Sequence, residues 1–178
     1  MKKTNTKNTI FSALCTVFLV LSAWITVPSA VPFTMQTFAV AFFSAFLGAK
    51  STVMAITSYI LLGIFGLPVF SGFQSGAATI FGATGGYTLG FIPFSMIAGT
   101  LYKKLGKSFI SAFFSMLSGL IACYIAGTLW YAFIYLDNFS GIKYILSVCV
   151  LPFIIPDILK LSLAAVLVGK AERIIKRF

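Results

Sequence analysis

The sequence predicts an all-α membrane protein with six membrane-spanning helices in one compact bundle. Three observations carry that prediction. Of 178 residues, 60% are hydrophobic and 9% charged, against about 25% charged in an average soluble domain, so too few polar groups exist to cover a water-facing surface. Long uncharged runs alternate with prolines, glycines and small groups of cations. Finally, almost all the cations fall on one side of a six-span arrangement. At about 20 residues per span, six spans and short connections use the chain, so 1–178 reads as a single integral-membrane domain.

The elements follow from the punctuation. Residues 8 to 49 carry no charge, which is too long for one helix and suits two joined by a turn. Pro28 and Pro32 supply that turn, because proline lacks the N–H and clashes with the preceding turn. The pattern predicts helices over about 9–27 and 35–48. The next uncharged run, 51 to 102, is interrupted by glycines from Gly63 to Gly90 and by Pro68, which gives helices over about 51–65 and 86–102 with a long apolar loop between them.

Ser108 to Leu136 is long enough for one tilted span. Within it Ser111, Ser115, Gly119, Cys123 and Gly127 recur at every fourth position, a flat stripe that permits close approach of another helix. Internal packing is the expected use, and a partner-docking face the alternative. The last segment, about 142–172, contains Pro152 and Pro156. Pro156 is the expected start of the final helix, since proline favours the first helical position.

Orientation comes from the cations. Lys2, Lys3, Lys7, Lys50, Lys103, Lys104, Lys107, Lys170, Arg173, Lys176 and Arg177 fall on one side of six spans, eleven of the thirteen Lys and Arg. Cytoplasmic loops accumulate such residues, so both termini are expected in the cytoplasm. A cleaved signal peptide ending near Pro28-Ser29-Ala30 is the alternative for the N-terminus.

Several function classes are excluded or disfavoured. The basic residues are not clustered on a soluble face, so nucleic-acid binding is not expected. There is no His among the 178 residues, hence no Ser-His or Cys-His pair and no His-containing metal site. Gly82-Ala83-Thr84-Gly85-Gly86-Tyr87 lacks the Gly-Lys-Ser/Thr ending of a phosphate loop, so any ATP-driven step needs another subunit. Neither a metal nor a cofactor is expected. Cys15, Cys123 and Cys149 read as small buried residues. The Asn138-Phe139-Ser140 sequon is too short a match to carry an argument.

What remains is one pair of charges inside a span, Asp157 and Lys160. Ionisable groups deep in a membrane cost at least about 2.5–3.5 kcal/mol each and are usually functional. Three residues apart on a helix, they share a face. They form either a self-neutralising staple or a clamp: a carboxylate accepts N–H donors, and an ammonium attracts an anion. Phe33, Thr34 and Gln36 after the first turn, Gln74 in the long loop, and Gly86 and Tyr87 at the start of the following helix lie on the same outer side and complete a candidate pocket.

Three segments then resemble one family: Val31-Pro32-Phe33-Thr34-Met35-Gln36-Thr37-Phe38-Ala39-Val40; Gly66-Leu67-Pro68-Val69-Phe70 with Gly82-Ala83-Thr84-Gly85-Gly86-Tyr87-Thr88-Leu89-Gly90-Phe91; and Pro156-Asp157-Ile158-Leu159-Lys160. In order, spacing and overall length the chain resembles the BioY family, biotin-specific S components of energy-coupling-factor vitamin transporters. The resemblance implies a multi-pass protein of a bacterial cell membrane that captures biotin from outside and works with a transmembrane coupling subunit and two ATPase subunits. It also implies that Asp157 accepts from the ureido group and Lys160 attracts the valerate carboxylate, with Phe33, Thr34, Gln36, Gln74, Gly86 and Tyr87 around the ligand. Alternatively Lys160 orients Asp157, and loop groups bind the carboxylate.

The chain departs from the family pattern at Ala83 and Pro156, where proline and glycine are common. The small residues of the first helix, which the family superfold uses to dock the coupling subunit, are not matched: Val17 follows Ala13, and Ser12 and Thr16 are the nearest small pair. A different small vitamin, or a non-transporting membrane assembly factor, are the alternative functions.

Overall fold

A computed structural model describes residues 6–27, 33–135 and 141–175. The architecture is all-α apart from one two-residue β-pair. Helix α1 (Thr6–Trp24) leads into a short hairpin, β1 (Thr26–Val27) with β2 (Phe33–Thr34), paired antiparallel through Thr26↔Thr34 and Val27↔Phe33. Then follow α2 (Gln36–Phe46), α3 (Ala49–Ile64), a 3-10 turn at Ser71–Phe73 and the short α4 (Ala77–Phe81). Helix α5 (Gly85–Leu105), α6 (Phe109–Trp130) with a π-helical extension Tyr131–Tyr135, α7 (Ile142–Cys149) and α8 (Leu151–Ile175) complete the chain.

Four sequence expectations change. The first helix ends at Trp24 rather than 27: Thr26 and Val27 are β-branched, and Pro28 biases the residue before it toward extended backbone. Two short helices, α4 and α7, appear inside the long loop and in the last segment ahead of the expected final helix. The last helix starts at Leu151, not Pro156. Its break from α7 lies at Val150 (φ −122°, ψ −57°). Pro152 sits in the first turn, where N–H groups have no intrahelical partner, and Pro156 then removes a bond only to a carbonyl near the helix start. The turn at Pro28 and Pro32, the sequon, Asp137 and the outermost cations lie outside the described residues.

The small-residue stripe on α6 is used internally, against α5. A side chain on Gly119 would come within 2.8 Å of the Phe94 carbonyl, and one on Gly90 within 3.0 Å of the Cys123 carbonyl. Gly127 accepts the Tyr87 ring in the same way, and Gly86 accepts Trp130. These notches let two long helices approach backbone to backbone. Ser111, at the end of the stripe, instead donates to the Leu105 carbonyl at 3.2 Å.

The pair Ser12 and Thr16 is likewise internal. Their hydroxyls donate to the Ser51 and Ala55 carbonyls of α3 at 3.1 and 3.2 Å. The outer face of α1 therefore consists of Ala13, Leu14, Val17, Phe18 and Leu21.

Large apolar side chains cover the outside: Phe18, Ile110, Phe114, Ile121, Leu159 and Leu163 are all exposed. In water such a surface would drive aggregation. Among the described residues, two helical stretches, Phe109–Phe133 and Leu151–Ile174, are long and apolar enough to cross a membrane. By contrast, α2 has eleven residues, about 16 Å at 1.5 Å per residue, too short for a hydrocarbon core of about 30 Å.

The fold has two chemically different ends. At one, Lys107 pairs with Glu172 at 2.9 Å, tying the α5–α6 turn to the last turns of α8. Lys50, Lys103, Lys170 and Arg173 surround the same clefts. At the other end, the starts of α2, α5 and α8 and the later turns of α3 and α6 surround a polar chamber.

Candidate functional site

The chamber is built on Asp157 and Lys160 of α8, which are 3% and 6% exposed. A charge buried to that degree must be paired and hydrogen-bonded. Lys160 Nζ lies 2.9 Å from Asp157 Oδ1 and donates to the Thr34 carbonyl at 2.7 Å. Its remaining side faces the Phe33 ring, 3.7 Å from the centroid, a distance at which a desolvated ammonium is attracted by the π-face. The ammonium thus meets a carboxylate, a carbonyl and an aromatic face. Phe33 is itself braced by Phe153, with ring centroids 5.9 Å apart.

The hairpin strand β2 therefore supplies both a carbonyl and an aromatic face to a lysine 126 residues further along the chain. This explains its extended backbone at Phe33 and Thr34, since a helix would have engaged the Thr34 carbonyl internally.

Asp157 has a second partner. Its Oδ2 accepts from the Tyr124 hydroxyl of α6 at 2.7 Å. Each carboxylate oxygen has two acceptor positions, so the group keeps acceptor capacity beside the chamber.

A second polar unit sits on α2 and α3. Gln36 donates through Nε2 to the Tyr59 hydroxyl at 2.8 Å, and its Oε1 accepts from the Thr34 hydroxyl at 3.2 Å. The amide is thereby oriented by partners at both ends. Tyr59 is 1% exposed, and its ring meets Phe70 edge-on. Phe70 in turn fills the notch left by Gly63. Across the chamber, the Tyr87 hydroxyl is buried without a hydrogen-bond partner among the described residues. The Thr128 hydroxyl, also buried without a geometric partner, and the Cys149 thiol lie beside it, and a phenol so enclosed needs one of these or a small adjustment to be paired.

The structure brings Thr34, Gln36, Tyr87, Asp157 and Lys160 together around one chamber, with Phe33 behind the ammonium. Two residues anticipated from the sequence are elsewhere. Gly86 is buried against Trp130 of α6 and serves helix packing. Gln74 is exposed, and its backbone carbonyl accepts from the Phe70 N–H at 3.1 Å. Sequence reasoning missed Tyr59 and Tyr124. A signal existed: tyrosines are expected at membrane interfaces, and a phenol in mid-run needs a partner.

No group of three or more Cys, Asp or Glu side chains capable of holding a metal occurs among the described residues. The arrangement is one of fixed donors and acceptors around a small cavity.

An apolar outer surface around a chamber lined by a buried ion pair and several hydroxyl and amide groups has the character of a membrane-embedded protein with a small-molecule site. Residues 1–177 match the BioY family. The "Biotin transporter BioY" of Thermotoga maritima is 37% identical over 169 residues, covering 93% of this chain and 95% of that protein. The "Probable biotin transporter BioY" of Pyrococcus horikoshii is 38% identical over 144 residues, covering 81% and 80%. The chain belongs to the BioY family. In fold it resembles the crystal structure of the S-component for biotin from an ECF-type ABC transporter, with a TM-score of 0.84 at 24% identity, covering 97% of this chain and 94% of that one.

Proposed function

We propose that this chain is the biotin-capturing S component of an energy-coupling-factor transporter, a substrate-binding subunit and not an enzyme. It takes biotin from outside the cell and delivers it across the membrane with a transmembrane coupling subunit and two ATPase subunits. The observation that carries the reading is the Asp157 carboxylate, held by Lys160 and Tyr124 at the chamber wall with acceptor positions to spare. Biotin carries a ureido ring with two N–H donors, and an acceptor-only group is the complement such donors require.

The geometry favours the second role weighed for Lys160. Its contacts with Asp157, the Thr34 carbonyl and the Phe33 ring are all internal, so Lys160 orients the carboxylate. The valerate end is then received by neutral donors such as the Tyr87 hydroxyl and the Gln36 amide, with Phe33 and Thr34 holding Lys160 in place.

A six-helix arrangement of α1, α2, α3, α5, α6 and α8, in which the eleven-residue α2 crosses only part of the bilayer, with both termini in the cytoplasm fits the cationic end of the bundle. Lys50, Lys103, Lys107, Lys170 and Arg173 gather opposite the chamber, as expected for a chamber open to the outside. Reporter fusions at either terminus are expected to be active only in the cytoplasm, and an external terminus would overturn the orientation.

The direct test is titration calorimetry on the purified protein. Biotin is expected to bind at least about 100-fold more tightly than riboflavin or thiamine, because analogues that leave a buried polar site unpaired are strongly rejected. No detectable biotin binding would sink the assignment. Biotin uptake that requires a co-purifying ATPase module is the expected transport behaviour.

A further inference from the structure

The Asp157 carboxylate depends on a residue outside its own helix. Lys160 holds Oδ1 but lies one turn along α8, so the two charges alone could turn together with their helix. The other oxygen is held from α6, by Tyr124 at 2.7 Å. That bond fixes the plane of the carboxylate and ties α6 to α8 at the chamber wall. Because the phenol gives its only proton to Oδ2, it presents no hydroxyl donor of its own to a ligand and leaves Asp157 as an acceptor in a fixed direction. A hydrogen bond to a charged acceptor in a dry site is among the stronger ones available to a side chain. Asp157 lines the chamber, and each of its oxygens keeps an acceptor position beyond the one taken by Tyr124 or Lys160.

We infer that Tyr124 is a positioning residue for specificity: through Asp157 it selects ligands that present an N–H donor to that wall. This rests on the biotin reading above, in which the ureido ring supplies the donor. The Tyr124 ring also lines the chamber, so removing only its oxygen leaves the packing shape intact.

The test is a double-mutant cycle in the full-length protein, with Tyr124→Phe, Asp157→Asn and the double variant titrated with biotin. Tyr124→Phe is expected to lower biotin affinity on the order of tenfold, the scale of one lost charge-assisted hydrogen bond. In the Asp157→Asn background the same change is expected to cost less than about twofold, because residues acting as one unit are not additive. The preference for biotin over an analogue methylated on a ureido nitrogen is expected to shrink in Tyr124→Phe. A purely structural role would lower both affinities together and leave that ratio unmoved. Unchanged biotin affinity in Tyr124→Phe, or an equal loss in both backgrounds, overturns the inference while wild-type binding leaves the biotin reading standing. Failure of the wild-type protein to bind biotin overturns both.

Discussion

Asp157→Asn is expected to weaken biotin binding by at least about 100-fold, or ~2.7 kcal/mol, the cost of truncating one member of a buried hydrogen-bonded charge pair. The substitution keeps the shape and changes the chemistry. An amide has one oxygen where the carboxylate has two, and that oxygen must choose among the Lys160 ammonium, the Tyr124 hydroxyl and the ligand. Its NH2 group meets a donor if it faces the Lys160 ammonium or a ligand N–H, and if it donates instead to the Tyr124 oxygen, a single amide oxygen is left for Lys160 and the ligand. The protein is expected to remain folded, since Lys160 keeps the Thr34 carbonyl at 2.7 Å and the Phe33 ring. Titration calorimetry against wild type measures the loss, and circular dichroism checks the fold. Wild-type affinity in this variant would remove Asp157 from the binding site.

Asp157 and Lys160 were legible in the sequence because charge is scarce in it. With three acids in 178 residues, an Asp three positions before a Lys inside an apolar run stands out, and the helical repeat puts both on one face. Much of the helix order was legible for a related reason, since lysines, glycines and prolines mark the ends of spans. The start of α8 was less legible. Pro156 suits a first helical position, yet near an existing start a proline removes a single bond, and the packing of α8 against α2 and α6 outweighs that cost.

The chamber's far contacts could not be read at all. Tyr124 meets Asp157 and Gln36 meets Tyr59 only after α2, α3, α6 and α8 have assembled, and no local pattern encodes such meetings. Gly86 illustrates the opposite error. It adjoins Tyr87 in the sequence, but neighbours on a helix point about 100° apart, so Tyr87 reaches the chamber while Gly86 faces Trp130.

Lys160→Met is expected to destabilise the ligand-free protein by about 3–5 kcal/mol, because it leaves the Asp157 carboxylate, 3% exposed, without its counter-charge. Met fills most of the lysine volume, so a lost cavity is not the cause. The hairpin strand β2 also loses its tie to α8. Adding Asp157→Asn to Lys160→Met is expected to recover most of that stability, since removing both members of a buried pair is often close to neutral. Biotin binding is not expected to return with it, because the carboxylate that meets the ureido donors is then absent. Thermal unfolding of the detergent-solubilised single and double variants, with biotin titration of each, reads the two quantities independently. Equal unfolding temperatures for Lys160→Met and wild type would show that Lys160 does not neutralise Asp157. Recovered stability without recovered binding assigns the ammonium to holding the carboxylate in place and the carboxylate to recognising the ligand.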